Sequence, residues 1–322
     1  NGKVELKYKR KDFSDFNNKV IFDVQFDKAA IASNDLNFFY NEFGKNNIFY
    51  VDTHLVGTLN NFTTHNLKLT DKNQSEIIGT ANFQNLFGKG NQEFYMKGSF
   101  DRITSDYEAL KIIMPRVLGK NLPSVLAKLG RVDLNGDVEL TQKYINANVY
   151  LLSKLGIVDG DLAIQNIDNI DNASYQGNIK LDNFDLGTLL SEKDLGKTTL
   201  DLDVDGKGFT QKYLKTNFSG RIAKMRYNNY NYSNIVINGN FKKPFFEGKI
   251  AINDPNLVLD FDGTVDLSNY KKRYIFDAKI DFADLNKLNF VKDSVSKFVG
   301  NVKINVVGNS IDDFVGNINI DQ

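Results

Sequence analysis

The chain has 322 residues, 41% of them hydrophobic, with 40 basic and 40 acidic side chains and a formal net charge of zero. Balanced charge argues against a nucleic-acid partner, which favours a basic stripe, and against a purely electrostatic hold on acidic lipid. Cysteine is absent, which excludes disulfides and thiol chemistry. No run approaches 18 consecutive apolar residues, so no stretch reads as a membrane-spanning helix.

The first residues, Val4 to Tyr8, already read as a strand, with no initiator methionine and no signal-like segment. The expectation is a piece of a longer protein. Apolar residues then recur at every second position: Val20, Phe22, Val24 and Phe26; Ile77, Gly79, Ala81 and Phe83; Phe94, Met96, Gly98 and Phe100. A period of two marks half-buried strands.

At Ser105 the period changes. Ser105-Asp106-Tyr107-Glu108 has the form of a capping box, and Leu110, Ile113 and Met114 follow at helical spacing. Pro115 and Gly119 limit this helix; a second, with Val125, Leu126 and Leu129, stops at Gly130. The spacing predicts a helical insertion over about 105–130 in an otherwise continuous array covering 1–322. A second amphipathic helix is expected over Leu285–Val299. Both are expected to cover or plug an apolar groove, with Leu110, Ile113, Met114 and Leu126 as the covering residues, or to cap its sheet edges.

A repeat appears beyond Gly130. YQGNIKLDNFDL from Tyr175 matches YIFDAKIDFADL from Tyr274 at an offset of 99 (274 minus 175), and the offset persists at Lys193-Asp194 against Lys292-Asp293. The units are about 175–273 and 274–322, with a looser copy ending at Leu129-Gly130. Repeated supersecondary units signal an array whose members cannot bury their apolar face alone.

The clearest alternation runs from Tyr230 to Leu267. Ile235, Ile237, Phe241, Phe246, Ile250, Ile252, Leu257, Leu259, Phe261 and Val265 fall on one face, and Phe276 and Ile280 continue it. Asn238, Lys249, Asp260 and Asp262 fall on the other. Lys243-Pro244 and Asp254-Pro255-Asn256 are turns, too short for parallel crossovers. Such a meander must close into a barrel, pair into a sandwich or fold into a gutter. Gly239, Gly248 and Gly263 on the inner face read as sites for sharp bending or for close backbone approach.

Chemistry is sparse. Asp201 to Gly206 imitates a calcium loop, but Lys212 stands where the bidentate Glu belongs and Leu200, Leu202 and Val204 alternate as a strand. His54 and His65 lack zinc-ligand spacing. Asp133, Asp137, Asp159, Asp161, Asp260 and Asp262 read as a solvated strand face rather than a catalytic pair. Tyr227, Tyr230 and Tyr232 hint faintly at an aromatic stripe on the wet face. No catalytic or metal-binding residue and no cofactor are expected; the apolar face reads either as core packed against a second sheet or as a conduit left open for greasy cargo.

Ile235 to Leu267, Phe246-Glu247-Gly248-Lys249-Ile250, Asp254-Pro255-Asn256-Leu257, Phe184-Asp185-Leu186-Gly187 and Asp203 to Gly208 together set a strand-turn-strand rhythm. It resembles TamB-type members of the AsmA-like family of long bacterial envelope proteins, most clearly from about Gly130 onward. The resemblance implies an all-β, elongated antiparallel β-taco, a sheet folded lengthwise into a hydrophobic groove, with a few short amphipathic helices. It further implies a non-enzymatic protein of the periplasm, held in the inner membrane by an N-terminal segment that this chain lacks. Its partners would be phospholipid and, through a part not present here, an Omp85-type outer-membrane barrel. The implied function is phospholipid transfer between the two membranes. Alternatives are a chaperone-like scaffold for outer-membrane protein assembly and a cell-surface β-solenoid adhesin or polysaccharide enzyme, the latter needing an exposed aromatic stripe or carboxylate cleft.

Overall fold

In a computed structural model the chain is all-β, 65% strand and 12% helix, antiparallel, and not closed into a barrel. The structure describes residues 2–39, 44–87, 93–113, 124–210, 212–242, 244–294 and 296–321. The strands gather into two compact units, Asn1–Asp168 and Asn169–Gln322.

The first unit is a nine-strand meander: β1 (Gly2–Lys7), β2 (Ile21–Ala32), β3 (Ile48–Gly57), β4 (Phe62–Asp71), β5 (Glu76–Gln84), β6 (Tyr95–Asp106), β7 (Arg131–Thr141), β8 (Tyr144–Ser153) and β9 (Gly156–Gln165). Each strand pairs with its sequence neighbour. Alternation sets the faces. In β7, Val132, Leu134, Gly136 and Val138 are half-buried, while Asp133, Asn135 and Asp137 are exposed. Asn60 ties one set of strand ends together. Its side chain receives the Phe87 N–H at 2.7 Å and donates to Asn18 Oδ1 at 2.8 Å. Short helices α1 (Phe16–Lys19), α2 (Ser33–Phe39) and α3 (Tyr107–Ile113) lie between strands.

The second unit repeats the plan: β10 (Ser174–Asp185), β11 (Leu195–Lys207), β12 (Lys215–Tyr227), β13 (Tyr230–Lys242), β14 (Phe245–Asp254), β15 (Leu257–Asp266), β16 (Arg273–Asp284), β17 (Lys297–Val307) and β18 (Val315–Asp321), with α4 (Leu186–Leu190) after β10. Tyr227-Asn228-Asn229-Tyr230 closes the β12–β13 hairpin. Both asparagines have positive φ (47° and 61°), as a two-residue turn matched to strand twist requires.

The duplication extends to backbone irregularities. The β10–β11 register slips between Leu181 and Phe184, and the β16–β17 register slips between Ile280 and Ala283, again 99 residues on (280 minus 181). In both copies the Asp that ends the strand caps the next turn. Thr188 N–H donates to Asp185 at 2.9 Å and Lys287 N–H donates to Asp284 at 3.2 Å. Asp106 does the same for Ala109 N–H at 2.8 Å, at the start of α3.

Two expectations are corrected here. Ser105 does not cap α3, because it lies within β6 and its hydroxyl pairs with that of Ser75 at 3.0 Å. Leu285–Val299 is not a helix. One turn forms, with Leu288 N–H bonded to Asp284 O, and Lys297–Val299 belongs to β17. Leu288 is drawn into the core, 1% exposed, and the asparagines around it are weak helix formers. Of the proposed covering residues, Leu110, Ile113 and Leu126 are half-buried, Leu126 in a 3-10 turn (Ser124–Leu129). Met114 lies outside the described residues.

Candidate functional site: an incompletely covered apolar face

The registers of the second unit assemble the inner residues into rows that cross the strands. One row runs Leu181, Leu200, Ile222, Ile235, Ile252, Leu259, Ile280. The next runs Ile237, Ile250, Phe261, Ala278, Val302. Nearer the other strand end, Phe241, Phe246, Val265 and Tyr274 align. Thus Ile235, Ile237, Phe241, Phe246, Ile250, Ile252, Leu257, Leu259, Phe261, Val265, Phe276 and Ile280 share one face. Ile235 is buried, and the other eleven are half-buried.

Of the two uses expected for the glycines on this face, close approach is the one their neighbours demand. Gly239, Gly248 and Gly263 are cross-strand neighbours, and Phe276 continues their row. A Cβ on Gly239 would lie 2.9 Å from Phe246 Cε2, and one on Gly263 would meet the Cβ of Phe276. The glycines clear the floor on which aromatic rings lie. Centroids of Phe218 and Phe246, then Phe246 and Phe261, are 6.3 Å apart; those of Phe261 and Phe276 are 5.1 Å apart. A continuous ring ladder therefore crosses β12 to β16.

Coverage differs along the strands. At the end marked by Asp185 and Asp284, Ile222, Tyr232, Ile235, Ala283 and Leu288 form a buried cluster. Leu288 belongs to a strap, residues 285–291, laid back toward the β12–β13 turn. That turn also receives the preceding connection, with Asn228 N–H donating to Asp194 O at 2.9 Å. Beneath the strap, buried Asp254 accepts from Ser233 N–H (2.9 Å), Ser233 Oγ (2.7 Å), Asn256 N–H (2.9 Å) and the Tyr230 hydroxyl. Burial, and then the neighbouring Tyr230 and Asp254, push the Tyr232 phenol up to about 12. Tyr230 and Tyr232 pack edge to face at 4.8 Å on the apolar side, so the expected wet-face tyrosine stripe does not form.

Among the described residues, only eighteen apolar side chains are buried.

The opposite face holds solvated ion pairs, Lys249 with Asp262 at 3.1 Å and Lys303 with Asp277 at 3.9 Å. They border a shallow depression of about 640 Å³. Asp201 and Asp203 share the side-chain amide of Asn178, as strand residues do, and form no calcium loop. The histidines hold a relationship their spacing did not disclose. His54 and His65 face each other across β3 and β4, rings 6.0 Å apart, and His54 Nε2 lies 2.8 Å from Asp23. The histidine hydrogen bond, then that of Lys7, holds the Asp23 carboxyl below its usual range. Among the described residues no group of three potential metal ligands occurs, and no helix is long and apolar enough to cross a membrane. Comparison with protein-family models, curated proteins and solved structures finds no match.

Proposed function

We propose that this chain is a conduit for phospholipid acyl chains, working in a bacterial periplasm between inner and outer membranes. The observation that carries the reading is the inner face of β10–β17: continuous across the strands, apolar, and half-exposed instead of packed away. Leaving acyl chains in water costs about 0.8 kcal/mol per CH₂, and a lining of Ile, Leu, Val and Phe removes most of that cost. Such transfer needs no catalytic group and no net charge. The resemblance to AsmA-like envelope proteins supports the same reading, and with it docking to an Omp85-type barrel through another part of the protein.

Native mass spectrometry with lipid extraction tests it. The expected result is co-purifying phospholipid in the wild type and much less in a folded Ile250→Asp variant, since Ile250 is half-buried in mid-face. A lipid-free, well-folded wild type that takes up no added phospholipid would sink the proposal.

A further inference from the structure

The end of the second unit opposite the strap has a different character. Three strand connections lie there, of which residues 207–210, 212–215, 242, 244–245 and 266–273 are described. They carry Lys207, Lys212 and Lys215, then Lys242, then Lys271, Lys272 and Arg273, against a single described carboxylate, Asp266. In a chain of zero net charge this is a marked segregation. Among the described residues, the ion pairs of the unit lie on the wet face or beside the strap. Asp266, Asp171, Asp312 and Asp313 lie at the same margin and keep their charge, with Lys271 near Asp313 and Arg273 near Asp266, so the described cations outnumber the described carboxylates without being isolated from them.

Exposed aromatics stand among the cations. Phe209, Tyr213 and Tyr270 are 44%, 45% and 92% exposed. Immediately inside the lip lies the half-buried row Phe241, Phe246, Val265 and Tyr274. Apolar floor, amphipathic rings and then cations is the order in which a phospholipid presents acyl chain, ester region and phosphate.

We infer that this lip binds the phosphate groups of phospholipids whose acyl chains lie against Phe241, Phe246 and Val265. The inference rests on the conduit reading and adds a headgroup site to it, where the lipid's anionic phosphate is held by charge-assisted bonds from lysine and arginine. The strap closes the far side, so chains enter with their heads toward the lip.

The experiment measures binding of chain-matched phosphatidylglycerol and diacylglycerol, delivered from cyclodextrin without a bilayer, to the whole chain and to a Lys215→Gln, Lys242→Gln, Lys271→Gln, Arg273→Gln variant. All four side chains are exposed, so circular dichroism and Tm should not change. The wild type should prefer phosphatidylglycerol, and salt should weaken the preference. The variant should lose about tenfold or more in phosphatidylglycerol affinity, with diacylglycerol binding unchanged. Equal binding of both lipids by the wild type would overturn the inference and leave the conduit standing. Competition by glycerol 3-phosphate as effective as by the lipid would overturn it in favour of a free-phosphate site. A charge effect seen only with vesicles would overturn it in favour of a bilayer-docking surface. Binding of neither lipid would remove the conduit reading, and this inference with it.

Discussion

Asn228 and Asn289, 61 positions apart, exchange amide hydrogen bonds: Asn228 Nδ2 donates to Asn289 O at 3.1 Å, and Asn289 Nδ2 donates to Asn228 O at 2.9 Å. The pair pins the strap after β16 to the β12–β13 turn, three strand spacings away, roughly 14 Å on a flat sheet. Asn289→Ala should therefore speed hydrogen exchange over 285–291 while leaving β14 and β15 protected. Leu288→Ala removes the anchor itself and should cost about 2–5 kcal/mol in denaturant unfolding. Exchange accelerated evenly across the unit would show that the strap is not a separate element.

Glycine in a strand is ordinarily improved by alanine, by about 0.4–1 kcal/mol, through the unfolded chain. Gly239→Ala should reverse that sign, because its Cβ would press on Phe246 Cε2 at 2.9 Å and on the Glu247 carbonyl at 2.7 Å. Overpacking of this kind costs about 1–3 kcal/mol. A stabilised Gly239→Ala protein, measured by urea unfolding, would refute the reading of the ring ladder.

The capping carboxylate of α4 gives a pH signature. The Thr188 hydroxyl and then its amide hold Asp185 below its ordinary range near 3.8. A lowered folded value contributes stability above the unfolded value and loses it as pH falls through the folded one. Asp185→Ala should cost about 1 kcal/mol at neutral pH. Its Tm deficit against wild type should shrink as the solution is acidified below the usual carboxylate range. A deficit that does not change with pH would assign the loss to packing instead.

Tyr232 titrates in the opposite sense. Its folded value is raised, from 10.0 to about 12, chiefly by burial. The stability tied to its neutral form is complete below the unfolded value and is lost as pH rises through the folded one. Absorbance titration should show a late tyrosinate step that Tyr232→Phe deletes. A Tyr232→Phe trace with the same late step would place the buried phenol elsewhere.

Period-two patterning made the strands and their faces legible, and all twelve candidate face residues fall together in register. Repetition was legible too, because Asp185 and Asp284 recur where a cap is needed. What escaped depended on packing between residues distant in sequence. Leu285, Leu288 and their polar neighbours fit a helical period, but burial of Leu288 among Ile222 and Ile235 outweighs local spacing. The His54–His65 pairing follows a register slip between Asp52 and His54 that no local pattern announces. The inward glycines admitted both bending and close approach, and only the rings and carbonyls of neighbouring strands decide between the two.

The slip shared by both copies also bears on how such a chain grows. The duplicated block holds six strands, β10 to β15, an even number, so it begins and ends on the same side. Copying it adds about 29 Å of sheet while leaving the strap on one margin and the loops on the other. An odd number of strands would hand each margin the other's residues. Length in this architecture is thus a quantity that gene duplication can set in whole steps, as one lengthens a zip fastener, without redesigning either side.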